Sequence, residues 1–482
     1  MTMLLDRRHF LAAGLATAGA AVITPDRALA GAAPPAWALG VRDVEANVPE
    51  EVMTLVHGRA PAGFAGRLYR NGPAKFRRGA SAAGHWFDGD GLMRKFAVEG
   101  GAARLTARFA DTPKRRLESR LGAMVQPGFG TRPGPGARLE NADDVNSANT
   151  AVMMAGGELL ALWEGGSPLR MDPDSLATRG FRTFRDDLRY MPFQAHPRAE
   201  PGGAIWNLGV VGAQAIAWKL AADGSLAKAE LLTLPRRSYF HDFTATARHL
   251  IIVLQPWMNE RFALPLATTL AWRPDQGTQV LVIDKDDFSR RRTFELPAFS
   301  FFHLGDAWEE SDGTIRFDGA FASDPTFGQR AAAGLLRGED IASPQPVLTQ
   351  VVLRPTGRAE LVRSGVEAEF PASDKRRSGR ARSATIHVTH YRGPFAHGVG
   401  IWDWARGREA AFDFGDHQLV EEFLFAPRGD GERDGWLIGT TLNLARRATE
   451  LHLIDAAQVA AGPVASWRAS LPLPITFHGC FV

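Results

Sequence analysis

A single cysteine, Cys480, stands in 482 residues. No intrachain disulfide can form, and no Cys-rich zinc or iron–sulfur site can exist. A metal, if one is held, must rest on nitrogen and oxygen donors. Charge of one sign is missing too. Lys and Arg number 56 against 53 Asp and Glu, interspersed, for a formal net charge of +3. That balance gives no electrostatic basis for a nucleic-acid partner, and short clusters such as Lys375-Arg376-Arg377 read as solvated loop faces. Long amphipathic helical patterns are scarce as well, which argues against a helical fold.

The N-terminal residues are patterned. Arg7-Arg8-His9-Phe10-Leu11 leads into an uncharged, Ala- and Gly-rich stretch from Leu11 to Pro25, followed by Ala28-Leu29-Ala30. A basic start, a short apolar run and a small-x-small ending predict a secretory signal over residues 1–30, too short and Gly-rich for a membrane span. The paired arginines point to the twin-arginine route, with an ordinary Sec signal as the alternative. The expectation is a periplasmic protein starting near Gly31, with residues 31–482 as one domain.

Beyond the signal, short apolar runs alternate with Gly, Pro and Asp: Leu159–Trp163, His249–Leu254, Gln279–Ile283, Leu348–Leu353, Gly435–Thr441 and Leu451–Ile454. Runs of four to eight residues bounded by turn residues read as strands. With 50 Gly and 30 Pro, the chain has the profile of a many-stranded all-β protein. Three runs close on an apolar residue and Asp, at Asp172, Asp284 and Asp455, so the aspartates lie 112 and 171 residues apart. Those gaps are close to two and three times 57, a period expected of β-propeller blades.

Four histidines stand in settings unlike the others: His196 in FQAHPRAEPGG, His241 in YFHDFTAT, His303 in FFHLGDAWEE and His478 in ITFHGCFV. Taken singly, each is an ordinary packed or loop histidine, and their spacing matches no local metal motif. In a closed ring of blades, however, strand ends distant in sequence meet on the axis. Four imidazoles suit iron, copper, nickel or zinc. Their second ring nitrogens need acceptors. Glu164, Glu369 and Glu422, each in unusually apolar company, are candidates, with edge-strand surface glutamates as the alternative.

These segments resemble the carotenoid cleavage oxygenases, a family that spans bacterial apocarotenoid oxygenases, plant cleavage dioxygenases, the retinoid isomerase and stilbene-cleaving dioxygenases. The resemblance rests on PAGFAGRLYRNGP, HWFDGDGLMRKF, ALWEGGSPLRMDP, the three internal histidine motifs, EFPASDKRRSGRARS and the closing FHG, in family order along nearly all of the chain after residue 30. It implies a seven-bladed propeller with a loop and helix cap over one face. It also implies iron(II) on the axis, held by His196, His241, His303 and His478, with Glu164, Glu369 and Glu422 behind three of them. His85 is not a family ligand. The implied activity is O2-dependent scission of a conjugated double bond in an apolar carotenoid or apocarotenoid, giving two carbonyl products with no protein acid or base.

Trp163 and Phe302 are the expected substrate contacts. Stilbene-cleaving relatives carry Lys where this chain has Trp163, which favours an apolar polyene over a phenol. Asp306 stands where relatives often have Asn. The Leu121–Phe129 stretch is a candidate apolar lid for taking substrate from a membrane, with an ordinary Gly/Pro loop as the alternative. The other readings are stilbene cleavage, isomerisation of a retinoid-type ester, and a non-catalytic or hydrolytic propeller.

Overall fold

Two burial patterns organise the chain. Strand Ala102–Phe109 alternates exposed and buried residues, as a strand with one face in water does. Strand Phe395–Asp403 is buried along its whole length, as a strand sandwiched between neighbouring sheets must be. The computed structural model describes residues 33–482 apart from residue 262, so the twin-arginine motif and cleavage pattern lie outside the described residues.

The strands form seven antiparallel sheets of four or five strands, with two small ribbons, arranged as a seven-bladed β-propeller. In chain order the innermost strands of blades two to seven begin at Ala151, Arg198, Thr244, Ser300, Glu369 and Gln418. The first blade takes its innermost strand from the other end of the chain: His478–Phe481 pairs with Gly66–Asn71, Asn71 opposite His478. Conversely, Thr54–Gly58 is the outermost strand of the seventh blade, paired with Pro463–Arg468. Both ends of the described chain therefore cross one seam.

The core is radial. Leu68, Phe96 and Leu105 of the first blade pack on Leu424, Ile438 and Leu453 of the seventh. Similar clusters lie between blades two and three, three and four, and four and five. The expected strand runs are all present, His249–Leu254 with the same bounds. The repeated aspartates are the hinge of three equivalent hairpins. Asp172, Asp284 and Asp455 each lie at the end of the third strand of a blade and accept backbone N–H groups of the turn to the fourth. Those hairpins belong to blades two, four and seven, which accounts for gaps of two and three periods.

Candidate metal centre

Each of the seven blades sends one residue to the axis. His196 and His241 lie just before the innermost strands of blades three and four, while His303 and His478 lie within those of blades five and one. Glu164, Glu369 and Glu422 come from blades two, six and seven. The four imidazoles converge, with candidate ligand atoms all within 4.8 Å of one another. Ring centroids are 4.6 Å apart for His196 and His478 and 4.7 Å for His303 and His478.

Local irregularities aim these side chains. In a regular strand adjacent residues face opposite ways, but a bulge redirects one of them. The register slips between Phe301 and Leu304, between Glu369 and Ala372, and between Val420 and Phe423. As a result Phe302 and His303 both line the central cavity. Adjacent Glu421 and Glu422 both reach Arg70. Phe370 takes a left-handed backbone (φ 55°), its N–H donates to Glu369 at 3.0 Å, and its ring stacks on His303 at 4.8 Å. An aromatic residue held there is strained, and such strain collects at functional sites.

Three imidazoles have their outer nitrogen engaged. Nδ1 of His303 donates to Glu369 at 2.6 Å, Nδ1 of His478 to Glu422 at 3.1 Å, and Nδ1 of His241 to Glu164. A proton fixed on Nδ1 leaves Nε2 as a bare lone pair. Nε2 of His303 is buried with no hydrogen-bond partner, and Nε2 of His196 lies 3.0 Å from Nε2 of His241. Two lone pairs at that separation repel unless a proton or cation lies between them. Two ligands at a right angle on bonds of about 2.1 Å are about 3.0 Å apart, so the donor set fits a divalent metal.

Burial, reinforced by the neighbouring imidazoles, holds His196 well below the usual histidine range, and burial outweighs Glu422 in lowering His478 to about 4. Both are therefore neutral donors at pH 7. His303 is raised, because Glu369 outweighs burial. Burial pushes Glu422 up, but His478 and Arg70 prevail and hold it at about 2. The remaining histidines stay apart. His85 bonds the Gly328 carbonyl, His387 bonds Glu409, and His452 bonds Thr441 and Ser466. Asp306 accepts from Ser373 at 2.6 Å and lies 3.5 Å from Arg198, so it braces the strand after His196 and touches none of the four imidazoles.

A cavity of about 990 Å³ crosses the axis and is lined by His241, His303 and His478. Phe302 stands 5.1 Å from the His241 ring, among Phe87, Tyr239 and Trp257. Trp163 lines the same space, its ring lying over Gly165, where a Cβ would come within 2.9 Å of it. Pro127, Gly128 and Phe129 form part of the wall, and Asp88 ties this segment down through the N–H groups of Phe129, Gly130 and Thr131. Leu121 is 48% exposed, but Met124 and Val125 are buried, so the Leu121–Phe129 stretch is mostly a pinned wall.

Several site residues escaped the sequence reading. Tyr239, whose hydroxyl is 3.5 Å from Glu164, lies two residues before His241, a spacing that signals a shared face. Arg70 and Phe370 carry no comparable local signal.

The sequence profile of the retinal pigment epithelial membrane protein family matches residues 41–482. The chain is 29% identical to the apocarotenoid-15,15'-oxygenase of Synechocystis, covering 92% of this chain and 94% of that one. It is 25% identical to the isoeugenol monooxygenase of Pseudomonas putida, covering 91% and 95%. It is 26% identical to the lignostilbene-alpha,beta-dioxygenase isozyme III of Sphingomonas paucimobilis, covering 88% and 92%. Among solved structures, the cobalt-substituted Synechocystis apocarotenoid oxygenase superposes with a TM-score of 0.84 at 24% identity, covering 93% and 98%, and a point variant of that enzyme gives 0.85. The chain belongs to the retinal pigment epithelial membrane protein family, the carotenoid oxygenases.

Proposed function

We propose that this protein is an iron(II)-dependent dioxygenase that cleaves a conjugated double bond of an apocarotenoid-like polyene with O2, releasing two carbonyl fragments. One observation carries the reading: four imidazoles meet beside a large aromatic cavity, three of them with the outer nitrogen held by a carboxylate so that a lone pair faces inward. His196, His241, His303 and His478 would hold the ion, with Glu164, Glu369 and Glu422 fixing the tautomers of three of them. Imidazoles alone leave the charge of a divalent ion uncompensated, which favours the reduced state of a redox metal, and iron(II) supplies the O2-activating chemistry. The protein itself positions and dehydrates. Phe87, Phe129, Phe302 and Trp163 form apolar walls for a polyene, and no side chain is asked to act as acid or base.

Leu139 and Leu264 line the cavity and are 37% and 38% exposed. They place apolar surface at one opening, which suits uptake of the substrate from a membrane by peripheral contact. The Arg7-Arg8 pattern supports export to the periplasm by the twin-arginine route, which carries folded proteins. Stilbene cleavage is the second reading, favoured by the similarity to the lignostilbene dioxygenase. Trp163, a neutral indole beside the centre, opposes it.

The test is incubation of iron-loaded protein with apocarotenals and hydroxystilbenes under labelled oxygen. Mass spectrometry should find labelled aldehydes from the polyenes. Faster turnover of hydroxystilbenes would transfer the assignment to the second reading, and an isomerised product without label would remove dioxygenase activity altogether.

A further inference from the structure

The two ends of the cavity differ. Toward blades two and three it is walled by Trp163, Pro192, Val210 and Val211. Polar groups there are Glu140 and Asn141, exposed or half-buried at the rim, and the buried Gln194, whose Nε2 donates to the Phe240 carbonyl and whose Oε1 can only accept. Toward blades five and six, beyond Phe370 and Val388, the wall carries the phenol of Tyr391.

Tyr391 faces the cavity for a specific reason. Val388 and Tyr391 are three residues apart on strand Ala384–Arg392, and regular alternation would set them on opposite faces. His390 between them takes a left-handed backbone (φ 56°), and both residues line the cavity. Val388 pairs with Glu369 across the sheet, so Tyr391 stands about 10 Å further along the strand from the level of that carboxylate. This is a position for the end of a long substrate and not for its reacting bond.

The chain has four tyrosines. Tyr69 donates to the Pro173 carbonyl, Tyr239 faces Glu164, and Tyr190 sits at the rim beside Arg189. Tyr391 packs against the apolar cluster of Val388 and Phe423, and its hydroxyl has no hydrogen-bond partner among the described residues. Burial, with Glu369 and Glu367 nearby, raises its pKa well above the usual phenol value, so the group is a protonated donor. A cavity-facing hydroxyl with no acceptor on the protein can donate to a ligand.

We propose that Tyr391 anchors the oxygenated end of the substrate, donating to a terminal aldehyde or alcohol oxygen while the hydrocarbon end lies in the arm walled by Trp163 and Val211. The inference rests on the polyene reading above and narrows it to polyenes carrying oxygen at one end. A site built around a hydrogen bond also discriminates against analogues lacking the oxygen, because the donor facing the cavity is then left without its acceptor.

The experiment uses iron-loaded protein without O2, titrated with three polyenes of equal length ending in an aldehyde, an alcohol or a methyl group. Quenching of tryptophan fluorescence reports Kd, and O2 is then admitted to measure turnover. The native protein should bind the two oxygenated polyenes about tenfold more tightly than the hydrocarbon, the worth of one hydrogen bond. Tyr391→Phe should abolish that preference while leaving hydrocarbon affinity unchanged. Equal affinities in the native protein, or an equal loss for all three ligands in Tyr391→Phe, would overturn the anchor. Tight, selective binding with no products after O2 would leave the anchor standing and remove the oxygenase reading.

Discussion

Replacing Arg70 with Met should weaken both the metal centre and the fold. Arg70 is fully buried. Its Nη1 donates to Glu422 at 2.6 Å, its Nε to Thr476 at 3.0 Å and its Nη2 to the Phe477 carbonyl at 3.2 Å, with Glu421 3.6 Å away. Met fills similar length but offers no donor. Glu422 would keep the Gly479 N–H at 2.9 Å and His478, yet its charge would lose its buried counterion. Breaking a buried pair from one side costs about 3–5 kcal/mol. Because Glu422 retains two partners, the lower end applies, about 3 kcal/mol. The metal effect follows through His478, whose ring Glu422 orients, and loss of outer support of this kind weakens metal binding about 10–100-fold. Urea unfolding of the metal-free protein reads the first quantity, and competition with a chelator reads the second. Arg70→Lys should restore part of the stability but less of the affinity, since an ammonium cannot reproduce the guanidinium fork. A metal affinity for Arg70→Met within twofold of the native protein, with under about 1 kcal/mol lost, would refute the argument.

His303→Ala should reduce bound metal to background by elemental analysis and abolish product; full turnover would sink the ligand assignment. Trp163→Lys should slow polyene cleavage and raise kcat/KM for hydroxystilbenes, by pairing a phenolate in the cavity; no gain on the phenols would show that Trp163 does not set substrate class. Asp90 lies buried among Lys114, Arg78 and Arg115. Burial raises its pKa, but Lys114 and Arg78 outweigh that and hold it at about 2, below the usual 3.8. Its contribution to stability is therefore complete above about pH 4 and lost as pH falls through about 2. Asp90→Asn should lower stability by about 2 kcal/mol at neutral pH and flatten the acid limb of the thermal-midpoint profile; an unchanged acid limb would contradict this.

Much of the fold was legible because its signals are local. Strand runs such as Gln279–Ile283 are bounded by turn residues, and the aspartates at 172, 284 and 455 repeat because each ends the same strand of a blade. The convergence of the four histidines was not local. It followed from ring closure and from the resemblance, since the spacing of the four histidines matches no local metal motif. What stayed hidden depends on departures from regularity. No sequence window shows that the register slips at Phe301, so that Phe302 and His303 share the cavity, or that His390 turns left-handed and brings Tyr391 into it. Bulges and left-handed residues are fixed by tertiary packing, so period-two reasoning assigns these side chains to the wrong face.

The seam of the propeller runs through the proposed metal centre. His478 lies on the strand that closes the first blade, Glu422 on the innermost strand of the seventh, and Arg70 on the strand paired with the first of these. Opening the seam would part Glu422 from both the imidazole it orients and the arginine that neutralises it. Conversely, an ion bound by all four imidazoles requires the ring to be closed, so its binding free energy counts toward closure, growing as RT ln(1 + [metal]/Kd). A propeller whose blades contact only their neighbours can start to come apart at the junction where its ends meet. Placing the fourth imidazole at that junction ties closure of the ring to the proposed metal site.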